Sequence, residues 1–342
     1  LTQRKARVRR SPAAHLRAAE AGFSPTALAE WHWEWIMSRD GKKVVGFLIG
    51  RERDMPEAVM ARINERGVAQ AELVKLGGTF LDEPVVYDII IDRMSHEVPY
   101  YRNYVEFAAI KGCYVINDPF VWSNDTKFLS AAVLRRLGVR TPRTIMLPNK
   151  DIDAETVPDS FRNLDYPMNW QAIIDYIGSP AIFKDVRSGG RRFAHRVNNV
   201  DELIQRYDES GTRTMILQQV IESDVHFHCI VIGGDRTLLL PYSMEQAHYH
   251  ERAVKLAGEV ADRMTELSQQ LSHVYGYEIN MSEFVIQGDD IYLINATNPS
   301  PLIDLELMTA AQFEWICTEI AELIIRRVEE PPVVQLPVHF SP

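Results

Sequence analysis

The chain has 342 residues, of which 46% are hydrophobic and 25% charged, and its formal net charge at pH 7 is -10. This length predicts two or three structural modules rather than a single core. The acidic balance excludes nonspecific nucleic-acid binding as the expected role, because that role needs an excess of positive charge. No apolar run approaches the ~18 residues of a membrane-spanning helix, so we expect neither nucleic acid nor membrane as a partner.

The cysteines lie far apart in the sequence, at Cys113, Cys229 and Cys317, and form no CxxC pair. Such sparse cysteines are typical of the reducing cytoplasm and predict neither a disulfide framework nor a structural zinc site. The basic N-terminus contains no apolar segment, so it is not expected to act as a secretory signal.

The first third of the chain predicts a doubly wound α/β domain behind a helical extension. Residues 1–40, rich in Ala, Arg and Leu, are expected to form this helical N-terminal extension. Beyond them, apolar runs alternate with helical periodicity, which is the pattern of parallel strands connected by helices. We predict strands in KKVVGFLIG, VVYDIIIDR and GCYVIND, and helices over 56–66 and 101–111.

The rest of the chain predicts a two-part α+β unit, because closely spaced apolar runs are separated by only a few helices. We predict helices over 124–137, 169–177, 251–275 and 307–327, and one that starts at Asp201. We predict strands in PAIFKDV, FAHRV, MILQQVI, HFHCIVIGG and TLLLPYS. The segment EFVIQGDDIYLINA predicts a hairpin with a Gly-Asp-Asp turn.

The most distinctive local segment is PAIFKDVRSGGRRF, in which a strand lysine precedes a basic, glycine-containing turn. Glycines at positions 189 and 190 allow backbone amides to approach an anion closely. The cations of this segment are Lys184, Arg187, Arg191 and Arg192. The segment predicts a phosphate-binding loop, although an ordinary basic hairpin turn is equally compatible with these residues.

Three further segments are candidates for a site. Lys127 opens a predicted helix, a position that is also typical of a solvated surface lysine. In LQQVIES, a strand that carries Gln218 and Gln219 runs into a polar break, where backbone groups are able to bond a flat heterocycle. Glu283 lies on one predicted hairpin strand and Asn295 ends the other, and such oxygen ligands suit a hard cation such as magnesium.

Taken in order, these segments resemble the ATP-grasp superfamily from Lys43 to about Arg327, and most strongly glutathione synthetase and the ribosomal-protein glutamate ligases. The resemblance is carried by IIIDRMSHEVPYYRNYVEFAAIKGCYVINDP, TKFLSAAVLRRLGVRTPRT, IFKDVRSGGRR, LQQVIES and LINATNPSP. It implies a fold of the α/β and α+β class, with a Rossmann-like pre-ATP-grasp domain followed by a two-lobed ATP-grasp domain. The implied boundaries are 41–121 for the first domain, 122–214 for the N-terminal lobe with its lid loop, 215–330 for the C-terminal lobe and 331–342 for a tail.

The resemblance also implies that ATP and Mg²⁺ are cofactors, and it assigns roles to individual residues. Catalytic roles fall to Lys184, Arg187, Arg191 and Arg93, the last of these at the substrate mouth of the first domain. Contacts with ATP fall to Lys127, Lys184, Ser188, Gly189, Gly190, Gln218, Gln219, Ile221, His226 and His228. Magnesium would be held by Glu283 and Asn295.

Two departures from the family pattern concern charge. His226-Phe227-His228 stands where relatives carry Asp-x-Arg. The acidic residue expected two places before Asn295 is Leu293, and a register shifted by two places puts Asn295 itself in that position. Either register lacks one charged magnesium ligand, which predicts weaker metal binding. A zinc site built from His226, His228, His248 and His250 is the less favoured alternative for these histidines.

The function implied by the resemblance is that of an ATP-dependent carboxylate–amine or carboxylate–thiol ligase that forms an acylphosphate. The expected partners are small-molecule or peptide carboxylates and amines, and a homo-oligomer is compatible with the relatives. Two alternatives are an ATP-grasp kinase that phosphorylates a hydroxyl and a noncatalytic nucleotide-binding protein. The missing magnesium ligand motivates the second alternative.

Overall fold

The computed structural model describes residues 42–152, 163–187, 193–250, 256–333 and 336. The helical extension expected over 1–40 and most of the predicted lid loop lie outside the described residues. The described residues form three sheets, and the predicted α/β and α+β class is confirmed. Among the helices that the structure describes, none is long and apolar enough to cross a membrane.

The first sheet is parallel, with the strand order β2-β1-β3-β4. Its strands are β1 (Lys43–Leu48), β2 (Ala69–Leu73), β3 (Ile89–Asp92) and β4 (Tyr114–Ile116), and its helices are α1 (Asp54–Arg66) and α2 (Pro99–Ile110). Continuous burial along β1 and β3 is typical of parallel strands covered on both faces. Strand β2, AQAEL, was not predicted, because alternating alanines and polar residues give almost no apolar signal.

Two short helices connect the first sheet to the second, α3 (Pro119–Asn124) and α4 (Lys127–Arg136). The sequence predicted one helix over 124–137, and this prediction was wrong at its start. The side chain of Thr126 accepts a hydrogen bond from the amide of Leu129, and this N-cap makes α4 begin at Lys127.

The middle sheet is antiparallel, with the strand order β5-β8-β6-β7. It consists of β5 (Thr144–Leu147), β6 (Ala181–Asp185), β7 (Ala194–Val197) and β8 (Met215–Gln219), covered by α5 (Trp170–Ile177) and α6 (Val200–Asp208). Phe183, Leu217 and Leu203 are buried in a core cluster whose fully buried described residues all come from these elements. The middle sheet therefore has a core of its own.

The last sheet is also antiparallel, with the strand order β11-β10-β9-β12-β13. It consists of β9 (Val225–Ile232), β10 (Arg236–Ser243), β11 (His248–Tyr249), β12 (Ile279–Gln287) and β13 (Asp290–Asn295), with α7 (Gly258–Tyr275) and α8 (Ala310–Glu329). Helix α7 starts later than predicted, because Leu256 and Ala257 are not helical. Residues 251–255 lie outside the described part of the chain.

Helix α8 joins the first sheet to the last. Ile316, Ile320 and Ile324 are fully buried in one core cluster that includes residues of both sheets and of α1. At the rim of this contact, Arg66 of α1 forms an ion pair with Glu322 of α8 over 3.0 Å. The domain boundaries drawn from the sequence stay predictions.

Candidate functional site

Two lysines from different elements meet where the middle sheet approaches the last sheet. Lys184 lies near the end of β6, and its Nζ donates to Oε1 of Gln218 on the neighbouring strand at 2.8 Å. Lys127 is the first residue of α4, and its backbone amide donates to the carbonyl of Val186 at 3.0 Å. That backbone bond fixes the start of α4 beside the end of β6, so both lysines point into one region.

The environment of the lysines disfavours their charged forms. Burial, with a further contribution from the charge of Lys127, lowers the pKa of Lys184 to about 8, while the carboxylate of Glu283 opposes this shift. Burial also lowers the pKa of Lys127, against the charges of Glu283, Asp185 and Asp125. Two partly desolvated cations that repel each other are a costly arrangement, and an anion bound between them would relieve it.

Glu283 and Asn295 face each other across the hairpin of β12 and β13. The Asn295 Nδ2 donates to Oε1 of Glu283 at 2.9 Å. In the next pair of the register, Phe284 lies opposite Leu293, so Ile294 is the extra residue of a β-bulge. The Leu293 side chain has no exposed surface and packs in the core beside α7. The structure therefore places Asn295, and not Leu293, opposite the carboxylate.

Glu283 keeps its negative charge although it is partly buried. Burial alone would raise its pKa, but the nearby His228, the Asn295 hydrogen bond and the two lysines together lower the pKa below its ordinary value. Glu283 is therefore a carboxylate that already has several positive or donating neighbours. We call the site formed by Lys127, Lys184, Glu283 and Asn295 the phosphate pocket, since its cations are placed to meet an anion.

The histidines that replace the family's Asp-x-Arg lie on β9 beside this pocket. His228 is buried, lies opposite Glu283 in the register of β9 and β12, and has its Nδ1 at 2.9 Å from the Tyr249 hydroxyl. Its ring stacks on Tyr242 with the centroids 4.4 Å apart. His226 Nε2 lies 2.8 Å from the carbonyl of Ser223. In the part of the chain that the structure describes, no three His, Cys, Asp or Glu side chains are grouped to hold a metal, which gives the zinc alternative no support.

The resemblance seen in the sequence implies magnesium, and the donors around Glu283 do not suit a magnesium ion held by the chain. Protein magnesium sites use one or two carboxylates together with phosphate oxygens and water. Glu283 is the single carboxylate of the pocket, and it already accepts a hydrogen bond from Asn295. The Thr297 hydroxyl lies 3.3 Å from that of Ser130. The positive charge of both lysines adjoins the same carboxylate.

The predicted adenine hinge lies at the end of β8. The Gln219 amide donates to the Arg143 carbonyl at 2.8 Å, and the buried Ile221 follows where the strand has ended. Gln218 is buried, and its side chain binds Lys184 and donates to the Thr144 hydroxyl at 3.4 Å. The Gln218 side chain therefore positions a lysine, a function that the sequence alone did not indicate.

Of the cationic residues in the predicted lid loop, Arg187 is the one that the structure describes. Its Nη1 donates to the carbonyl of Ser123 at 2.7 Å, and its backbone amide donates to Oδ1 of Asp185 at 2.7 Å. These contacts tie the base of the loop to α3. The predicted phosphate contacts of Ser188, Gly189, Gly190 and Arg191 concern positions outside the described residues.

Arg93, predicted to contact substrate, lies at the end of β3 with a side chain only 3% exposed. Its Nη2 donates to Oε2 of Glu52 at 2.7 Å and to the carbonyl of Pro301 at 2.6 Å, and its Nε donates to the other Glu52 oxygen. The structure thus shows Arg93 as a tie between the first sheet and the segment after β13. Its contact with substrate stays a prediction.

Asp125, which sequence reasoning did not select, supports the start of α4. It accepts a hydrogen bond from the Ser130 hydroxyl at 2.9 Å and one from the Tyr277 hydroxyl at 3.0 Å. Its position directly before the N-cap Thr126 is the only signal in the sequence, and an aspartate there is common in ordinary helix caps. The contacts show that Asp125 anchors the helix that carries Lys127.

Solved structures resemble this architecture, although no protein-family model and no curated protein sequence matches the chain. A RimK domain ATP-grasp protein from Sphaerobacter thermophilus superposes with a TM-score of 0.60 and 16% identity, covering 82% of this chain and 99% of that one. D-alanine–D-alanine ligase from Bacillus anthracis, complexed with ATP, gives a TM-score of 0.58 and 14% identity over 84% of this chain and 97% of that one.

A third structure is the ATP-grasp ligase PsnB complexed with a variant of its minimal precursor, Mg and ADP. Its TM-score is 0.55 and its identity 16%, over 82% of this chain and 98% of that chain. All three structures are ATP-grasp proteins, and each is covered almost along its full length. At these identities the likeness concerns the fold, and the chain has the ATP-grasp fold.

Proposed function

We propose that the chain is an ATP-dependent ligase that joins a carboxylate to an amine or a thiol. The observation that carries the proposal is the convergence of Lys127 and Lys184 at the junction of the middle and last sheets. Their pKa values are lowered, so the pocket favours a ligand that brings negative charge. The triphosphate of ATP is such a ligand, and ATP-grasp ligases share this fold.

In this proposal the two lysines hold the phosphates, and Gln218 keeps Lys184 in position through its 2.8 Å hydrogen bond. The backbone of Gln219 and Ile221, at the end of β8, takes the adenine. Arg187 and the basic turn after it cover the phosphates and exclude water from the reacting groups. The proposed site is rich in cations and poor in acid–base pairs. Such a site suits phosphoryl transfer, which depends on positioning the reacting groups and neutralising their charge.

The proposed reaction has two steps. A carboxylate oxygen of the substrate bonds to the γ-phosphorus while the bond from that phosphorus to the bridging oxygen breaks, and ADP leaves. The amine nitrogen then bonds to the carbonyl carbon of the acylphosphate, inorganic phosphate leaves, and the nitrogen loses a proton. The lysines stabilise the charge that develops on the transferred group, and no side chain of the protein forms a covalent intermediate.

The substrates in this proposal are a small-molecule or peptide carboxylate and a small-molecule or peptide amine. Both kinds are represented among proteins of this fold, since one neighbour is D-alanine–D-alanine ligase and another binds a precursor peptide. The residues of the phosphate pocket recognise the nucleotide and do not distinguish between the two kinds.

The test uses hydroxylamine as a general amine. The purified chain is incubated with ATP, Mg²⁺, hydroxylamine and panels of amino acids and short peptides, and both ADP and hydroxamate are measured. The proposal expects ADP and hydroxamate to appear together with at least one carboxylate, and to disappear in Lys184→Met. The matched control is Lys150→Met, since Lys150 is exposed and pairs with Asp208 at the end of α6. Phosphorylated product without hydroxamate would instead indicate a kinase.

A noncatalytic nucleotide-binding protein is the second candidate, and one observation favours it. Asn295 presents a neutral amide to Glu283 where the family pattern has a second carboxylate. The same experiment separates the candidates, because a noncatalytic protein binds ATP and releases no ADP with any carboxylate and amine.

A further inference from the structure

The charge of the phosphate pocket bears on the form of nucleotide that it accepts. We propose that this pocket binds a nucleoside triphosphate in its metal-free form, with Lys127 and Lys184 supplying the positive charge that a metal ion would otherwise bring. The inference rests on the nucleotide site of the proposed function, and it holds whether or not the bound nucleotide is turned over.

The donors of the pocket carry the first step. A site for Mg²⁺·ATP offers the ion anionic oxygens, and among the four described residues that form the phosphate pocket Glu283 is the single carboxylate. One of its oxygens already accepts the Nδ2 hydrogen of Asn295 at 2.9 Å. Because the Asn295 amide directs an N–H group toward Glu283, the two side chains hydrogen-bond to each other. They therefore do not present one oxygen each to a single ion.

The cations carry the second step. Both lysines adjoin Glu283, and the carboxylates of Asp125 and Asp185 also lie near Lys127. A divalent cation placed beside Glu283 would be repelled by the lysines, whereas a metal-free triphosphate would be attracted by them.

Other acidic groups near Lys127 do not restore a metal site. The carboxylate oxygens of Asp125 accept hydrogen bonds from Ser130 and Tyr277. Asp185 accepts one from the backbone amide of Arg187, and Arg213 lies 4.0 Å from its other oxygen. Both carboxylates are thus engaged in holding α4 and the base of the lid loop.

The first test is calorimetric titration of the full chain with ATP in excess EDTA and in millimolar Mg²⁺. The expected affinity is no higher in Mg²⁺ than in EDTA, because the ion converts most of the free ATP into its metal complex while the pocket binds the metal-free form. An affinity that rises about tenfold or more with Mg²⁺ overturns the inference and leaves the nucleotide site of the proposed function intact. No binding of ATP under either condition overturns the proposed function and this inference together.

The second test adds a carboxylate where the amide stands. Asn295→Glu places two carboxylates side by side, so it is expected to weaken ATP binding in EDTA and to recover at least about tenfold in Mg²⁺. Asn295→Gln is the matched control, since it lengthens the side chain equally and keeps the amide. The inference expects Asn295→Gln to gain no affinity for ATP in Mg²⁺, and a gain of the same size in both variants overturns it. Thermal unfolding of both variants checks that each is folded.

Discussion

The Nδ2 of Asn295 donates to Oε1 of Glu283 at 2.9 Å across the last hairpin, while Leu293, two residues earlier, is turned into the core. This relationship follows from the bulge at Ile294, which lets two residues on the same strand separated by one position face opposite sides of the sheet. The pocket thereby receives an amide, and the core receives the leucine.

A carboxylate should therefore be tolerated at position 295 and not at position 293. Leu293→Glu buries a carboxyl group without a partner among apolar side chains, and we expect it to lower the free energy of unfolding by roughly 3–5 kcal/mol. Asn295→Glu, at a partly exposed position, should change it by about 1 kcal/mol or less. Urea unfolding measures both values, and equal midpoints for the two variants would contradict the observed register.

Lys184→Met is expected to separate binding from stability. The substitution removes a buried cation, so the free energy of unfolding should stay the same or rise, while ATP affinity should fall by about tenfold or more. Calorimetry and urea unfolding measure the two effects. In Lys150→Met, whose ion pair with Asp208 is exposed, both quantities should remain near those of the parent chain. Loss of stability in Lys184→Met would show that the lysine is needed by the fold.

Proton uptake on ATP binding should report the lowered pKa of Lys184. In the free protein this pKa is about 8 instead of its ordinary 10.5, so near pH 8 the amine is only partly protonated. Phosphate oxygens favour the ammonium form and raise the pKa, so binding at pH 8 should take up roughly half a proton through this group. Calorimetry in buffers of different ionisation enthalpy measures the uptake. It should be smaller in Lys184→Met, in which Lys127 alone keeps a lowered pKa, and proton release in the parent chain would refute the assignment.

The buried Arg93–Glu52 pair is expected to be a major structural contact. Arg93→Leu leaves Glu52 and the Pro301 carbonyl without their donor, which should cost about 3–5 kcal/mol of unfolding free energy. Arg66→Leu removes an exposed pair with Glu322 at 3.0 Å and should cost about 1 kcal/mol or less. Similar urea midpoints for the two variants would mean that the buried tie adds little to stability.

The sequence predicted those parts of the fold in which the local pattern and the tertiary environment agree. The buried runs of β1 and β9 and the Gly-Asp-Asp turn were predicted, because burial and turn chemistry leave a direct trace in the residues. Strand β2 was missed because its alanines and polar residues give no apolar pattern. Its pairing with β1 stabilises it instead.

For the candidate site, the sequence indicated the two lysines but not the residues that hold them in position. Lys127 and Lys184 were selected because the order of the segments that carry them resembles the ATP-grasp pattern, since each position alone is also typical of an ordinary lysine. The use of the Gln218 side chain to hold Lys184 depends on the pairing of β6 with β8, which spacing along the chain does not reveal. The choice between Leu293 and Asn295 depends on one bulged residue, and a single-residue shift in a strand exchanges its two faces.

The first and last sheets are packed together, because α8 shares a core with both of them and Arg93 donates a hydrogen bond to the Pro301 carbonyl. The middle sheet has a separate core. Near the phosphate pocket it is connected to the other two sheets by the hydrogen bond from the Lys127 amide to the Val186 carbonyl and by that from Arg187 to the Ser123 carbonyl. Any displacement of the middle sheet relative to the other two sheets would therefore change the distance between Lys184 and Glu283.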